Sequence, residues 1–110
     1  MSPKISIIIA TYNAGKTLAR CLQSIREEKT NEIELLVIDG GSKDNTLDII
    51  NTYQDTIDYS SSEPDKGIYD AWNKGIAHAK GNWMMFIGAD DYLVGNALSD
   101  YLNLLQQQDC

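Results

Sequence analysis

Short apolar runs alternate along the chain with segments in which apolar residues recur at helical spacing. Residues 5–9 form the first run, which is β-branched and nearly continuous, and this composition predicts a buried strand. The next apolar residues follow the i, i+3, i+4, i+7 spacing of one helix face, with Asn13 upstream as the expected cap. This face consists of Leu18, Cys21, Leu22 and Ile25.

The same alternation continues to the end of the sequence. Further strands are predicted at residues 33–38, 56–59 and 83–87, where apolar or β-branched residues run together. Helical spacing separates these strands and predicts three more helices, the first of them capped by Ser42 or Asp44. Their inward residues are Leu47, Ile50 and Tyr53, then Ile68, Ala71, Trp72, Gly75, Ile76 and Ala79, and finally Leu98, Tyr101, Leu102 and Leu105.

Strands this apolar are typical of a parallel sheet that helices cover on both faces. Regular alternation of strand and helix builds βαβ units, in which each helix connects two parallel strands. We therefore expect an α/β fold with a mostly parallel sheet and helices on both faces, formed as a single domain over residues 1–110.

Charge and composition restrict the partners. The net charge of −7 argues against nucleic acid or an anionic membrane surface as the main partner, because both are polyanions. The hydrophobic content of 43% is typical of a globular chain. No apolar run approaches the length that spans a membrane. Cys21 falls within a helical stripe, so core packing is expected for it, and Cys110 is the last residue. A reducing, cytoplasmic location fits this cysteine usage.

Polar residues follow each predicted strand, and in an open parallel sheet ligands bind beyond the carboxyl ends of the strands. Acidic side chains gathered there repel one another unless a cation is shared, so Mg²⁺ or Mn²⁺ is expected. The alternative, both for Asp39 and for Asp90 with Asp91, is an ordinary solvated turn. The candidate residues are Thr11, Tyr12, Asn13, Asp39, Asp65, Lys66, Asp90 and Asp91.

A rival interpretation concerns residues 10–17, which resemble a relaxed phosphate-binding P-loop between a strand and a helix. Lys16 would then contact phosphate, and Asp39 would be the acid associated with Mg²⁺. Against it, Ala10 replaces the first glycine, and Tyr12 adds bulk where backbone amides must surround a phosphate. The sequence therefore leaves two alternative functions open: a P-loop-like NTPase and a non-catalytic nucleotide-binding module.

Four segments together resemble family 2 glycosyltransferases, which have the GT-A fold, and in particular the branch that builds bacterial exopolysaccharide and O-antigen. Residues 6–13 (SIIIATYN) are similar to the family's opening strand, and residues 37–46 (VIDGGSKDNT) to its second signature. Residues 62–75 (SEPDKGIYDAWNKG) resemble a segment of that branch, and residues 86–91 (FIGADD) occupy the place of the D-x-D metal motif.

The resemblance implies transfer of a sugar, with inversion, from a nucleoside diphosphate carrier to a saccharide or lipid-linked acceptor. UDP is the expected carrier. Thr11 and Tyr12 would line the base pocket beside Asn13, while Asp39 would hydrogen-bond the base. The resemblance also implies that Asp65 and Lys66 lie near the nucleotide. Asp90 would be the main ligand of Mg²⁺ or Mn²⁺, supported by Asp91.

Two departures from the family pattern matter. Gly88 stands where the leading Asp of D-x-D is expected, so the metal site would depend on Asp90 and Asp91. Family domains are also about twice this length, so residues 1–110 are interpreted as the donor-binding N-terminal part, with the general base expected beyond Cys110. Such a part would expose apolar surface and self-associate. The longer protein would be cytoplasmic, or peripheral at the inner face of the membrane.

Overall fold

The structure, a computed structural model, describes residues 5–64 and 67–89. Within them, four parallel strands form one sheet in the order β3-β2-β1-β4. Strands and helices alternate along the chain as the sequence predicts. The elements are β1 (Ile5–Thr11), α1 (Leu18–Arg26), β2 (Ile33–Asp39), α2 (Thr46–Thr52), β3 (Tyr59–Ser62), α3 (Ile68–His78) and β4 (Trp83–Gly88).

The register of the strands brings their carboxyl ends to one edge of the sheet. Thr11 pairs with Asp39, and Asp39 pairs in turn with Ser62 on β3. On the other side of β1, Ala10 pairs with Gly88 near the end of β4. The residues that follow these strands in sequence are therefore delivered to the same edge, as expected for ligand sites in parallel sheets.

Helices cover both faces of the sheet, which confirms the predicted fold class. Ile5, Ile7 and Ile9 of β1 are fully buried in one core with α1 and with Ile50 of α2. Ile8 points to the opposite face. The second core lies beneath α3 and consists of Ile8, Leu36, Ile38 and Ala71. This division explains why β1 is apolar at successive positions rather than at alternate ones.

The third strand begins three residues later than the sequence predicts. Thr56 and Ile57 are β-branched and buried, which favoured a strand at 56–59. In the structure, however, their amides donate to the carbonyl of Tyr53 at 2.9 and 3.0 Å, closing a turn after α2. The paired register with β2 starts at Tyr59, and the amide of Asp58 just before it already donates to the carbonyl of Leu35 at 2.9 Å.

The predicted helix caps of α1 and α2 were wrong. Asn13 does not cap α1, whose N-cap is Thr17 and carries no side-chain cap bond. Asn13 instead adopts a positive φ of 49° in the preceding loop. For α2 the N-cap is Asn45, so neither Ser42 nor Asp44 caps it, although Asp44 accepts the amide of Thr46 at 2.9 Å.

Several residues predicted to be buried are partly exposed, in α2, in α3 and in β4. Leu47 and Ile76 are 37% and 40% exposed, because Thr46 with Ile50, and Ala71 with Gly75, form the inward edges of their helices. Trp83 on β4 is 37% exposed. Cys21 is buried as predicted, whereas the side chain of Ile68, the last predicted helix and Cys110 lie outside what the structure describes.

No helix in the described part of the chain is both long and apolar enough to cross a lipid bilayer. The longest, α3, has 11 residues. A membrane-spanning helix needs about 20 predominantly apolar residues.

Close packing of α3 on the sheet depends on Gly75. A Cβ atom at Gly75 would lie 2.5 Å from Cγ2 of Ile8, which is fully buried and stiff at χ1. The helix therefore approaches β1 more closely than any side chain at this position would allow.

We expect Gly75→Ala to destabilise the fold by about 1–3 kcal/mol, since overpacking outweighs the helix propensity gained by alanine. Urea denaturation followed by circular dichroism measures this free energy of unfolding. Asn73→Ala, at an exposed position of the same helix, is the control and should leave stability within about 0.5 kcal/mol of the wild type. A Gly75→Ala chain as stable as the wild type would contradict this account of the packing.

Candidate functional site

A cleft of about 470 Å³ opens at the carboxyl ends of β1 and β2, against the first turns of α3. Strands β2 and β3 lie in sequence order on one side of β1, and β4 lies on the other side. The strand order therefore reverses at β1, and the cleft is next to this point. Ligands of open α/β sheets bind at such points. The lining residues are Ala10, Thr11, Tyr12, Gly40, Pro64, Gly67 and Ala71.

The walls of the cleft are small or apolar apart from two residues. Tyr12 is 64% exposed and presents an aromatic ring at one side, whereas Thr11 is almost fully buried. No carboxylate is among the described lining residues. Flat, uncharged groups fit such walls, because aromatic rings and small apolar residues stack on them without desolvating a charge.

Beside the cleft, the carboxylate of Asp39 is fully buried and accepts five hydrogen bonds. At Oδ1, the hydroxyls of Thr11 and Ser42 each donate at 2.6 Å. At Oδ2, the Ser62 hydroxyl donates at 2.8 Å, and the amides of Gly41 and Ser42 donate at 3.0 and 2.8 Å. The two amides reach one oxygen because Gly41 has a left-handed φ of 87°.

These donors determine the charge state of Asp39. Burial by itself would raise the pKa of this carboxyl, but the hydrogen bonds from Ser42, Thr11 and Ser62 outweigh burial and hold the pKa below its ordinary value of 3.8. Asp39 is therefore ionised at neutral pH, and its charge is balanced by donors within the protein.

The loop after β1 and the loop after β2 are held together by four hydrogen bonds. The amide of Asn13 donates to Ser42 Oγ at 2.7 Å, and Asn13 Oδ1 accepts the amide of Lys43 at 2.9 Å. The next two amides of the first loop also find side-chain acceptors. Ala14 donates to Thr46 Oγ1 at 2.8 Å, and Gly15 donates to Asp44 Oδ2 at 3.0 Å.

This arrangement argues against the P-loop interpretation. A P-loop binds phosphate with the free amides of the loop between strand and helix. Here the amides of Asn13, Ala14 and Gly15 already donate to side chains of the neighbouring loop. The hydroxyl of Thr46 also donates to Asp44, and this bond is the main cause that lowers the pKa of Asp44. Lys16 is exposed, as expected for a surface residue.

The structure brings some of the sequence-predicted site residues together. Thr11 and Tyr12 line the cleft, Asn13 joins the two loops, and Asp39 lies beside the cleft rather than among its lining residues. The four remaining candidates lie outside the described residues, between Pro64 and Gly67 and after Ala89. They are Asp65, Lys66, Asp90 and Asp91.

Sequence reasoning missed the hydroxyl donors Ser42 and Ser62. It treated Asp39 as one of several rim carboxylates that need a shared cation, whereas five protein donors balance its charge. Within residues 5–64 and 67–89, no three side chains are arranged as metal ligands. Glu63, also at this edge, pairs with Lys74 at 3.2 Å. A signal for the donors existed: serine follows both glycines after β2 and also ends β3.

The sequence of residues 6–110 matches the model of the glycosyl transferase family 2. The chain belongs to this family. It is 42% identical over 95 residues to a PGL/p-HBAD biosynthesis glycosyltransferase of Mycobacterium bovis. That match covers 84% of this chain but 37% of the relative, so the chain spans well under half of the length of that glycosyltransferase.

Solved structures agree with this family assignment. Residues 1–349 of Staphylococcus aureus TarS, in complex with UDP-GlcNAc, superpose with a TM-score of 0.87 at 28% identity, over 94% of this chain and 31% of that chain. The mannosyltransferase PcManGT of Pyrobaculum calidifontis, in complex with GDP-Man and Mn²⁺, gives 0.78 at 22% identity, over 87% and 30%. The predicted GT-A fold is thereby confirmed for this family 2 glycosyltransferase chain.

The lowered pKa of Asp39 predicts how stability depends on pH. Because the folded pKa lies below the unfolded one, the stabilisation is fully present above about pH 4 and is lost as the pH falls through the folded pKa. Ser62→Ala removes one donor to the carboxylate and raises the folded pKa towards its ordinary value. Because the unfolded pKa does not change, we expect this variant to lose less stability on acidification than the wild type, and the loss to be complete at a higher pH.

Guanidinium denaturation at a series of pH values from about 6 to about 2.5 tests this expectation. Ser60→Ala is the matched control, since Ser60 lies on the same strand and contacts Gln54 at 3.4 Å instead of Asp39. Its acid profile should follow the wild type. Identical acid profiles for Ser62→Ala and the wild type would show that the Ser62 bond does not influence Asp39.

Proposed function

We propose that the cleft binds the nucleotide of a nucleotide-sugar donor and that the chain is the donor-binding part of an inverting glycosyltransferase. The observation that carries the proposal is the position of the cleft, at the carboxyl ends of β1 and β2 against α3, with small and aromatic walls. The likeness to TarS, whose structure contains UDP-GlcNAc, favours a UDP-sugar. The base occupies the cleft between Tyr12 and α3 in this proposal.

The proposed nucleotide site comprises both described residues and residues next to them in sequence. Thr11 and Tyr12 form its wall, and Asn13 and Asp39 hold that wall in place through their hydrogen bonds. We include Asp65 and Lys66, because they fall in sequence between Pro64 and Gly67, which both line the cleft.

Mg²⁺ or Mn²⁺ belongs to the proposed site through Asp90 and Asp91. The fit rests on β4, whose Gly88 pairs with the cleft residue Ala10, so that the chain leaves the strand at the cleft edge. Both ions bind carboxylate oxygens. Because Gly88 replaces the leading Asp of D-x-D, Asp90 and Asp91 would be the ligands. When bound, the ion would neutralise charge on the diphosphate leaving group. The structure of PcManGT contains both GDP-Man and Mn²⁺.

The acceptor in this proposal is a saccharide or a lipid-linked acceptor used in polysaccharide biosynthesis, and the enzyme is cytoplasmic or peripheral at the inner face of the membrane. Because the chain matches 37% of the mycobacterial relative, the proposal assigns the general base to a region outside residues 1–110. Residues 1–110 by themselves would then bind donor without transferring it. Non-catalytic nucleotide binding is the second candidate function, favoured because the described cleft lining contains no acid or base.

We expect UDP with Mn²⁺ to raise the melting temperature of the chain. A ligand at a hundredfold excess over its Kd stabilises the folded state by about 2.7 kcal/mol. Asp90→Ala should remove the part of the shift that depends on Mn²⁺, whereas Asp48→Ala, an exposed acidic residue of α2, should keep it. Differential scanning fluorimetry measures both shifts.

Parallel arms of this experiment separate the alternatives. Stabilisation by ATP that depends on Lys16 would support the NTPase interpretation instead. An absence of any shift with UDP or GDP, with and without metal, would contradict the proposal. An unchanged metal-dependent shift in Asp90→Ala would refute the assignment of the metal site while leaving nucleotide binding intact.

We also propose that the chain self-associates through β4. Met84 and Phe86, 37% and 42% exposed, project on the α3 side of this strand, where an apolar surface favours association. Met84→Lys should shift the molar mass measured by light scattering towards the monomer. Leu47→Lys, which changes an equally exposed apolar residue on α2, is the control and should leave the mass unchanged. A wild-type chain that is monomeric at high concentration would contradict this proposal.

A further inference from the structure

We infer that Asp39 makes no contact with the bound base and acts as a positioning residue, whose carboxylate holds the two cleft-forming loops in their binding geometry. The inference rests on the proposed function, since it specifies how the nucleotide site works. It departs from the role that the family resemblance implies for Asp39, which is a direct hydrogen bond to the base.

The direction of the side chain is the first argument. Successive side chains of a strand point to opposite faces of its sheet. Leu35 and Val37 of β2 lie in the core with α1, so Asp39, two residues on, belongs to that face. Ala71 of α3, which lines the cleft, belongs to the core on the opposite face, and Gly67, which also lines the cleft, directly precedes that helix. The carboxylate of Asp39 therefore lies on the far side of the sheet edge from the α3 wall.

Saturation of the carboxylate is the second argument. An ionised carboxylate offers about four lone-pair positions. Five donors already occupy the two oxygens of Asp39 at 2.6–3.0 Å, and the side chain has no exposed surface. A base N–H would have to displace one of these donors, and displacing Thr11 or Ser42, which are buried, would leave a polar group without a partner.

The same hydrogen bonds show what Asp39 does for the site. Thr11 and Ser42, its two partners at Oδ1, flank the loops that carry Tyr12 and Gly40. Ser42 Oγ also accepts the amide of Asn13, so a continuous path of hydrogen bonds runs from Asn13 through Ser42 to Asp39. Removing the carboxylate releases both loops at once, and with them the two cleft residues that they position.

The experiment compares the dissociation constants of UDP and CDP for the wild type and Asp39→Asn. Uracil presents an N–H at N3, whereas cytosine presents an acceptor there, so a carboxylate that touches this edge would discriminate between them. An asparagine in direct contact could donate to cytosine and would shift the preference towards CDP by about tenfold or more. We expect both nucleotides to bind more weakly while the ratio of their constants stays within about twofold of the wild type.

A second variant covers the case in which Asp39→Asn fails to fold. Ser42→Ala keeps the carboxylate but breaks the path to Asn13. At a temperature well below its melting temperature, we expect Ser42→Ala to bind UDP and CDP more weakly, by the same factor. A role of Ser42 in stability alone would not reduce the affinity at that temperature. Ser60→Ala, which does not contact Asp39, serves as the control with wild-type constants.

Three outcomes would overturn the inference. The first is a shift of preference towards CDP in Asp39→Asn, and the second is undiminished UDP binding by folded Ser42→Ala. In both cases the wild type still binds nucleotide, so the proposed function survives. The third is a wild-type chain that binds neither nucleotide, which removes the proposed function and this inference with it.

Discussion

A fully buried carboxylate with five hydrogen-bond donors organises one edge of this molecule. A buried charge without hydrogen-bond partners destabilises a fold far more than any single apolar contact stabilises it, and the carboxylate of Asp39 is fully buried. Its donors come from β1, from the loop after β2 and from β3, so the carboxylate is satisfied only when three strands end in register. The polar requirement thereby selects the same strand alignment that the apolar cores favour.

A site built in this way is held rigid before any ligand arrives. The loops after β1 and β2 are joined by Asn13, Ser42 and Thr46, and their amides donate within the protein. This arrangement uses strand-end loops differently from a P-loop, which leaves its amides for phosphate. In the proposed function, recognition of the base then falls to the cleft walls, where Tyr12, Pro64 and Ala71 offer shape and apolar surface.

The fold followed from the sequence because its cores are encoded locally. The β-branched run of β1 and the stripe of Leu18, Cys21, Leu22 and Ile25 each carry their own period, and all four helix residues are buried. Thr56 and Ile57 misled the strand assignment because burial, not pairing, explains their composition. Two donors to Asp39, the hydroxyls of Thr11 and Ser62, were not predictable from periodicity, since they depend on pairing between strands 28 and 23 residues apart. Gly41 and Ser42, in contrast, follow Asp39 by two and three residues and gave a local signal.

The proposed ligand has an uncharged base and an anionic diphosphate, and the two need different electrostatic surroundings. A base is uncharged and fits a cleft whose described walls carry no carboxylate, while the charge of Asp39 is enclosed by donors on the other face. A diphosphate would be repelled by a chain of net charge −7 unless positive charge were supplied nearby. The end of β4 is where the sequence places two further carboxylates, which a divalent cation would convert from a source of repulsion into a phosphate-binding group. Under the proposed function, enclosing one carboxylate and leaving the others to a metal would together accommodate a ligand that is neutral at one end and anionic at the other.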